Sequence, residues 1–122
     1  MAHYLLNAFS FNMIEGEEAV IKMTEISAAS ASAWLNCPEE CYGTLGMRGL
    51  DPRITQAVGH ADTAAVFAAA LDIDGIVATR SSVALKSGDA ALIGQYTGPR
   101  LPEGATTLPE GAIIRWLIVT ID

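Results

Sequence analysis

Apolar residues in this 122-residue chain fall into six short runs of strand character and two alanine-rich stretches of helical character. The runs are Tyr4–Phe9, Ala19–Met23, Ile54–Val58, Ile76–Leu85, Ala90–Tyr96 and Ile113–Ile121, and Gly, Pro, Asn, Asp and Ser punctuate the segments between them. Lys22 in the second run suits a sheet edge. Lys86-Ser87-Gly88-Asp89 has the chemistry of a hairpin turn between the fourth and fifth runs. The last run, rich in Ile, Val, Trp and Thr, reads as a central or partner-facing strand. Ser27–Leu35 predicts a short helix with Thr24 or Ser27 as its cap, and Ala61–Leu71 predicts a second that packs through Ala64, Val66, Phe67 and Leu71. Asn36–Arg53, with Pro38, Gly43, Gly46, Gly49 and Pro52, reads as a long surface connection that Met47 and Leu50 fold back onto the body. The pattern as a whole predicts one α/β domain over residues 1–122, a two-layer sandwich in which a mixed β-sheet of about five strands carries the helices on one face.

The stretch Gln56-Ala57-Val58-Gly59-His60-Ala61-Asp62-Thr63 joins a strand end to a helix start. Gly59 is expected to let the backbone turn tightly, and Asp62 or Thr63 to accept from the free N–H groups of the helix. The positive end of a helix favours anions, so His60 is placed to meet a phosphate. A lone histidine in such a turn is by default only a surface residue. Context elsewhere in the chain changes that weighting.

Composition narrows the partners. With 51% apolar residues the chain is an ordered globule with one core. Its formal charge is −7, and Lys22, Arg48, Arg53, Arg80, Lys86, Arg100 and Arg115 are scattered singly, so no basic stripe tracks a long nucleic acid. A small anion remains open, because two or three arginines converging in a pocket hold it whatever the net charge. Cys37 and Cys41 have no second pair, so they are a weak metal signal. They read as reduced thiols, with a local redox-sensitive disulfide as the lesser alternative. The N-terminus lacks a basic region followed by an apolar core, and no apolar run nears the ~20 residues that span a bilayer, so the expectation is a cytoplasmic protein without a membrane partner.

Two further segments carry candidate chemistry. Asn7, Ser10 and Asn12 set short hydrogen-bonding side chains at the end of the first strand, where spacing alone makes them turn residues. Gly98-Pro99-Arg100-Leu101-Pro102-Glu103-Gly104 is a rigid polar loop with an arginine and a glutamate three positions apart. Leu108-Pro109-Glu110-Gly111-Ala112 echoes Leu101-Pro102-Glu103-Gly104-Ala105, too briefly to be a solenoid repeat.

Asn7-Ala8-Phe9-Ser10-Phe11-Asn12-Met13, Gly59-His60-Ala61-Asp62-Thr63-Ala64, and Gln95 with Gly98-Pro99-Arg100-Leu101-Pro102-Glu103-Gly104-Ala105 together resemble the viral ring nuclease family of type III anti-CRISPR proteins and its bacterial relatives. Three motifs in order span nearly the whole chain, which is more specific than any one alone. The resemblance implies a small homodimer that binds cyclic tetra-adenylate and linearises it, with no metal and no cofactor. It implies that His60 is the catalytic histidine and that Glu103 assists. It also implies that Asn7, Ser10, Asn12, Thr63, Arg80, Gln95 and Arg100 line the ligand pocket. Thr79 departs from the family, which often has Asn before the arginine corresponding to Arg80.

The residue types fit that chemistry. RNA cleavage without a metal uses the ribose 2′-OH as internal nucleophile and leaves a 2′,3′-cyclic phosphate and a 5′-OH. It needs in-line positioning and a proton for the leaving oxygen. Histidine is the side chain suited to deliver that proton near neutral pH, and such assistance contributes roughly 10²–10⁴-fold. Arg80 or Arg100 would stabilise phosphate charge, and Glu103 would orient His60 or contact the 2′-OH. A different class of reading is a non-catalytic binder that sequesters cyclic oligoadenylate, which has no need of His60 as a proton donor. A third is a structural homodimer in which the motifs only shape turns.

Overall fold

A computed structural model describes residues 2–9, 13–15, 20–36, 54–79, 83–101 and 104–122. Five strands and two helices follow in the order β1 (His3–Leu6), β2 (Ile21–Ile26), α1 (Ala28–Asn36), β3 (Ile54–Ala57), α2 (Ala61–Leu71), β4 (Ala90–Thr97) and β5 (Ile113–Ile121). They form one mixed sheet with strand order β2-β5-β4-β1-β3. β1 runs parallel to both β3 and β4, whereas β5 runs antiparallel to both β4 and β2. β2 is an edge strand, in keeping with its Lys22.

Alternation along the strands builds two hydrophobic clusters, one on each face of the sheet, rather than the single core expected from composition. Leu5, Leu92 and Trp116 face the helices and pack with Ala31, Leu35, Ala64, Phe67 and Leu71, so both helices lie on one face. Leu6, Ala91, Ile93, Val119 and Ile121 point the other way and are covered by Leu85 together with half-buried Met13, Ile14 and Val83. Phe67 is fully buried, and burial of a side chain of that size contributes about 1.5–3 kcal/mol. α1 is capped by the Ser27 hydroxyl, which accepts the Ser30 N–H at 3.1 Å. α2 ends where Asp72 adopts a left-handed conformation (φ 51°) and the Ile73 N–H returns to the Ala68 carbonyl at 3.2 Å.

The strand expected over Ile76–Leu85 is absent among the described residues of that segment. The turn after it is real: the Asp89 N–H donates to the Lys86 carbonyl at 2.9 Å, and an Asp89 carboxylate oxygen accepts the Lys86 N–H at 2.9 Å. It does not join a hairpin, because β1 occupies one edge of β4 and β5 the other. Leu85 instead makes an isolated parallel bridge with Ile14. Upstream, the Gln56 side chain bonds the Gly75 carbonyl (3.0 Å) and the Val77 N–H (2.9 Å), so this chain runs beside the end of β3. The first strand ends at Leu6 rather than Phe9, and the second extends to Ile26. The connection from Cys37 to Arg53, with both cysteines, lies outside the described residues.

Candidate functional site

β1, β3 and β4 share a direction, so their carboxyl ends lie together, which is where open α/β sheets bind ligands. Val58, wholly buried, anchors the exit from β3. His60 follows as the N-cap of α2 with extended backbone (φ −131°, ψ 138°), and its side chain makes no capping bond. It is exposed, while its carbonyl accepts the Ala64 N–H at 3.0 Å and starts the helix. Gly59 does not have a positive φ, and a Cβ there would meet nothing within 4 Å. The expected need for glycine flexibility is therefore absent, and the residue leaves open space beside the histidine.

A cavity of about 520 Å³ lies at this junction, lined by His60, Asp62, Thr63, Tyr96, Gly98, Arg100 and Leu101. Three of the sequence-selected residues, His60, Thr63 and Arg100, thus share one surface although they come from two distant segments. The segment after β4 is folded onto it. Gly98 has φ 152°, and a Cβ there would stand 2.6 Å from the Ala112 Cβ, so only glycine fits. The Tyr96 hydroxyl donates to the Pro99 carbonyl. Asp62, one of the two residues expected to accept from the free N–H groups of α2, instead reaches across to Gly104, whose N–H its carboxylate accepts at 3.0 Å.

Asn7 and Gln95 lie on a second cavity of about 410 Å³ with Phe9, Met23, Ile93, Arg115 and Leu117. The split follows from strand geometry, since Gln95 and Tyr96 are neighbours on β4 and point to opposite faces. Arg115 is engaged there by Glu25, with Nε 2.8 Å from Oε1. Ser10, Asn12, Arg80 and Glu103 lie outside the described residues. Among the described residues no three His, Cys, Asp or Glu side chains group as metal ligands, and no helix is long and apolar enough to cross a membrane. Sequence reasoning missed Tyr96 and Leu101 as lining residues. Leu101 follows Arg100 directly and Tyr96 stands two positions before Gly98, and that nearness in sequence was the available signal.

A family model described as STIV B116-like matches residues 3–113. The chain belongs to the STIV B116-like family. Among solved structures, B116 of Sulfolobus turreted icosahedral virus has the same fold, with a TM-score of 0.76 at 23% identity over 98% of this chain and 99% of that one. No curated protein matches the sequence. The His60 cavity therefore belongs to a fold shared with a viral protein.

Proposed function

We propose that this STIV B116-like protein is a metal-independent ring nuclease that binds cyclic tetra-adenylate and cuts it to linear di-adenylate with 2′,3′-cyclic phosphate ends, switching off type III CRISPR signalling. The observation that carries the reading is the convergence of His60, Thr63 and Arg100 on one cavity at the carboxyl ends of parallel strands. Arg100 is exposed there and has no ion-pair partner among the described residues, so its guanidinium is available to a phosphate. The Thr63 hydroxyl supplies a donor or an acceptor on the same cavity.

In the proposed reaction the 2′-oxygen attacks phosphorus, forming the P–O2′ bond as the P–O5′ bond breaks. His60 gives the departing 5′-oxygen its proton. The 2′-OH proton leaves to water or to the Glu103 carboxylate. A ring of four nucleotides exceeds one such cavity, and a two-fold pair of chains presents every binding group twice. The working unit in this reading is a homodimer, which cuts the ring twice. A viral relative of this fold suits a virus-encoded protein acting in the host cytoplasm.

Incubation of the purified protein with cyclic oligoadenylates of different ring sizes in EDTA, with identification of the products, tests the reading. Linear di-adenylate from the four-membered ring supports it. Tight binding without products would mark a sequestering protein instead, and EDTA inhibition reversed by zinc or manganese would place the chemistry in a metal class.

A further inference from the structure

Asp62 is the carboxylate among the described residues that line the His60 cavity, which Arg100 also lines. A carboxylate repels phosphate, so Asp62 is poorly suited to hold the phosphates of the ligand. The geometry gives it another role. Asp62 Oδ1 accepts the backbone N–H of Gly104 at 3.0 Å, across 42 positions of sequence. Gly104 closes the segment that leaves β4 at Thr97. The near end of that segment is already held, by Gly98 packed on Ala112 and by the Tyr96 hydroxyl on the Pro99 carbonyl. Arg100 and Leu101 lie between the two ties, and both face the cavity. A loop anchored at one end alone would pivot there; the Asp62 contact fixes the other.

We infer that Asp62 is a positioning residue that ties Gly104 to the start of α2 and so holds Arg100 on the cavity that His60 lines. The inference rests on the reading of that cavity as the ligand site. Ordering the loop in advance lowers the entropy lost when a ligand binds, so the clip acts on affinity rather than on proton transfer.

Two variants isolate the clip. Asp62→Ala and Asp62→Asn both remove the charge, but only Asn keeps an oxygen that accepts the Gly104 N–H, so their difference reports the hydrogen bond. Trypsin can cut Arg100–Leu101, which lies between the ties. Cleavage of this bond in the native protein is expected to be about threefold to tenfold faster in D62A than in D62N, the range for one net hydrogen bond. The KM for cyclic tetra-adenylate is expected to rise by a similar factor with kcat little changed. Arg115–Trp116, inside β5, reports general unfolding and stays uncut in both variants. Equal tryptic rates or equal KM values for D62A and D62N would overturn the inference, as would equal acceleration at Arg115–Trp116. A parent protein that cuts no cyclic tetra-adenylate contradicts the nuclease reading instead, and the tryptic comparison then decides the clip by itself.

Discussion

Phe67 of α2 and Trp116 of β5 meet edge to face, their ring centroids 5.0 Å apart, directly over Gly94 of β4. A Cβ on Gly94 would stand 2.4 Å from the Phe67 ring and 2.6 Å from the Trp116 ring. The glycine is therefore the slot that lets α2 settle onto the sheet. That contact fixes where the helix start, with His60, lies relative to the end of β4, which carries Tyr96 and the loop of Arg100.

Gly94→Ala should destabilise the fold by about 1–3 kcal/mol, the usual cost of overpacking a dense core. Chemical denaturation of the variant beside the parent measures it. A loss well below this range would mean that the two rings move aside at little cost.

Arg100→Ala should weaken binding of cyclic tetra-adenylate about tenfold to hundredfold, as loss of charge-assisted bonds to phosphate does. Arg115→Ala should change binding little, because Glu25 already engages that guanidinium. Calorimetric titration of both variants checks the pair. Equal losses would move the binding surface to the Asn7 and Gln95 cavity.

Much of this arrangement is legible in the residues, and what is not has identifiable physical causes. Alanine-rich spacing states a helix strongly and predicts α2 with its observed bounds, and the crowd of β-branched residues does the same for β5. The Ile76–Leu85 strand is missing among the described residues of that segment, because local pattern does not show that β1 and β5 occupy both edges of β4. His60 and Thr63 stand in one motif and Arg100 in another, and the fold brings them to one cavity. Asp62 is misread for a different reason: a capping oxygen and a long-range acceptor look alike in sequence, and only the fold brings Gly104 within reach.

The proposed working unit is a two-fold dimer. In the single chain, the even-numbered residues of β5 such as Trp116 are taken up by the helical core, while Ile113 at the strand's start is 55% exposed. Light scattering should give twice the chain mass, and binding should saturate at one ring per two chains. A monomer that binds one ring per chain would contradict the dimeric site.

The central claim is that His60 delivers a proton to the leaving oxygen, and single-turnover cleavage of cyclic tetra-adenylate in EDTA by the parent and by His60→Ala tests it most directly. The account predicts linear di-adenylate with a 2′,3′-cyclic phosphate from the parent. It predicts a rate roughly 10²–10⁴-fold lower in the variant with affinity retained, because the residue is assigned to the transition state rather than to ground-state binding. An intact ring after incubation with the parent, or a His60→Ala protein that cuts as fast, would contradict it.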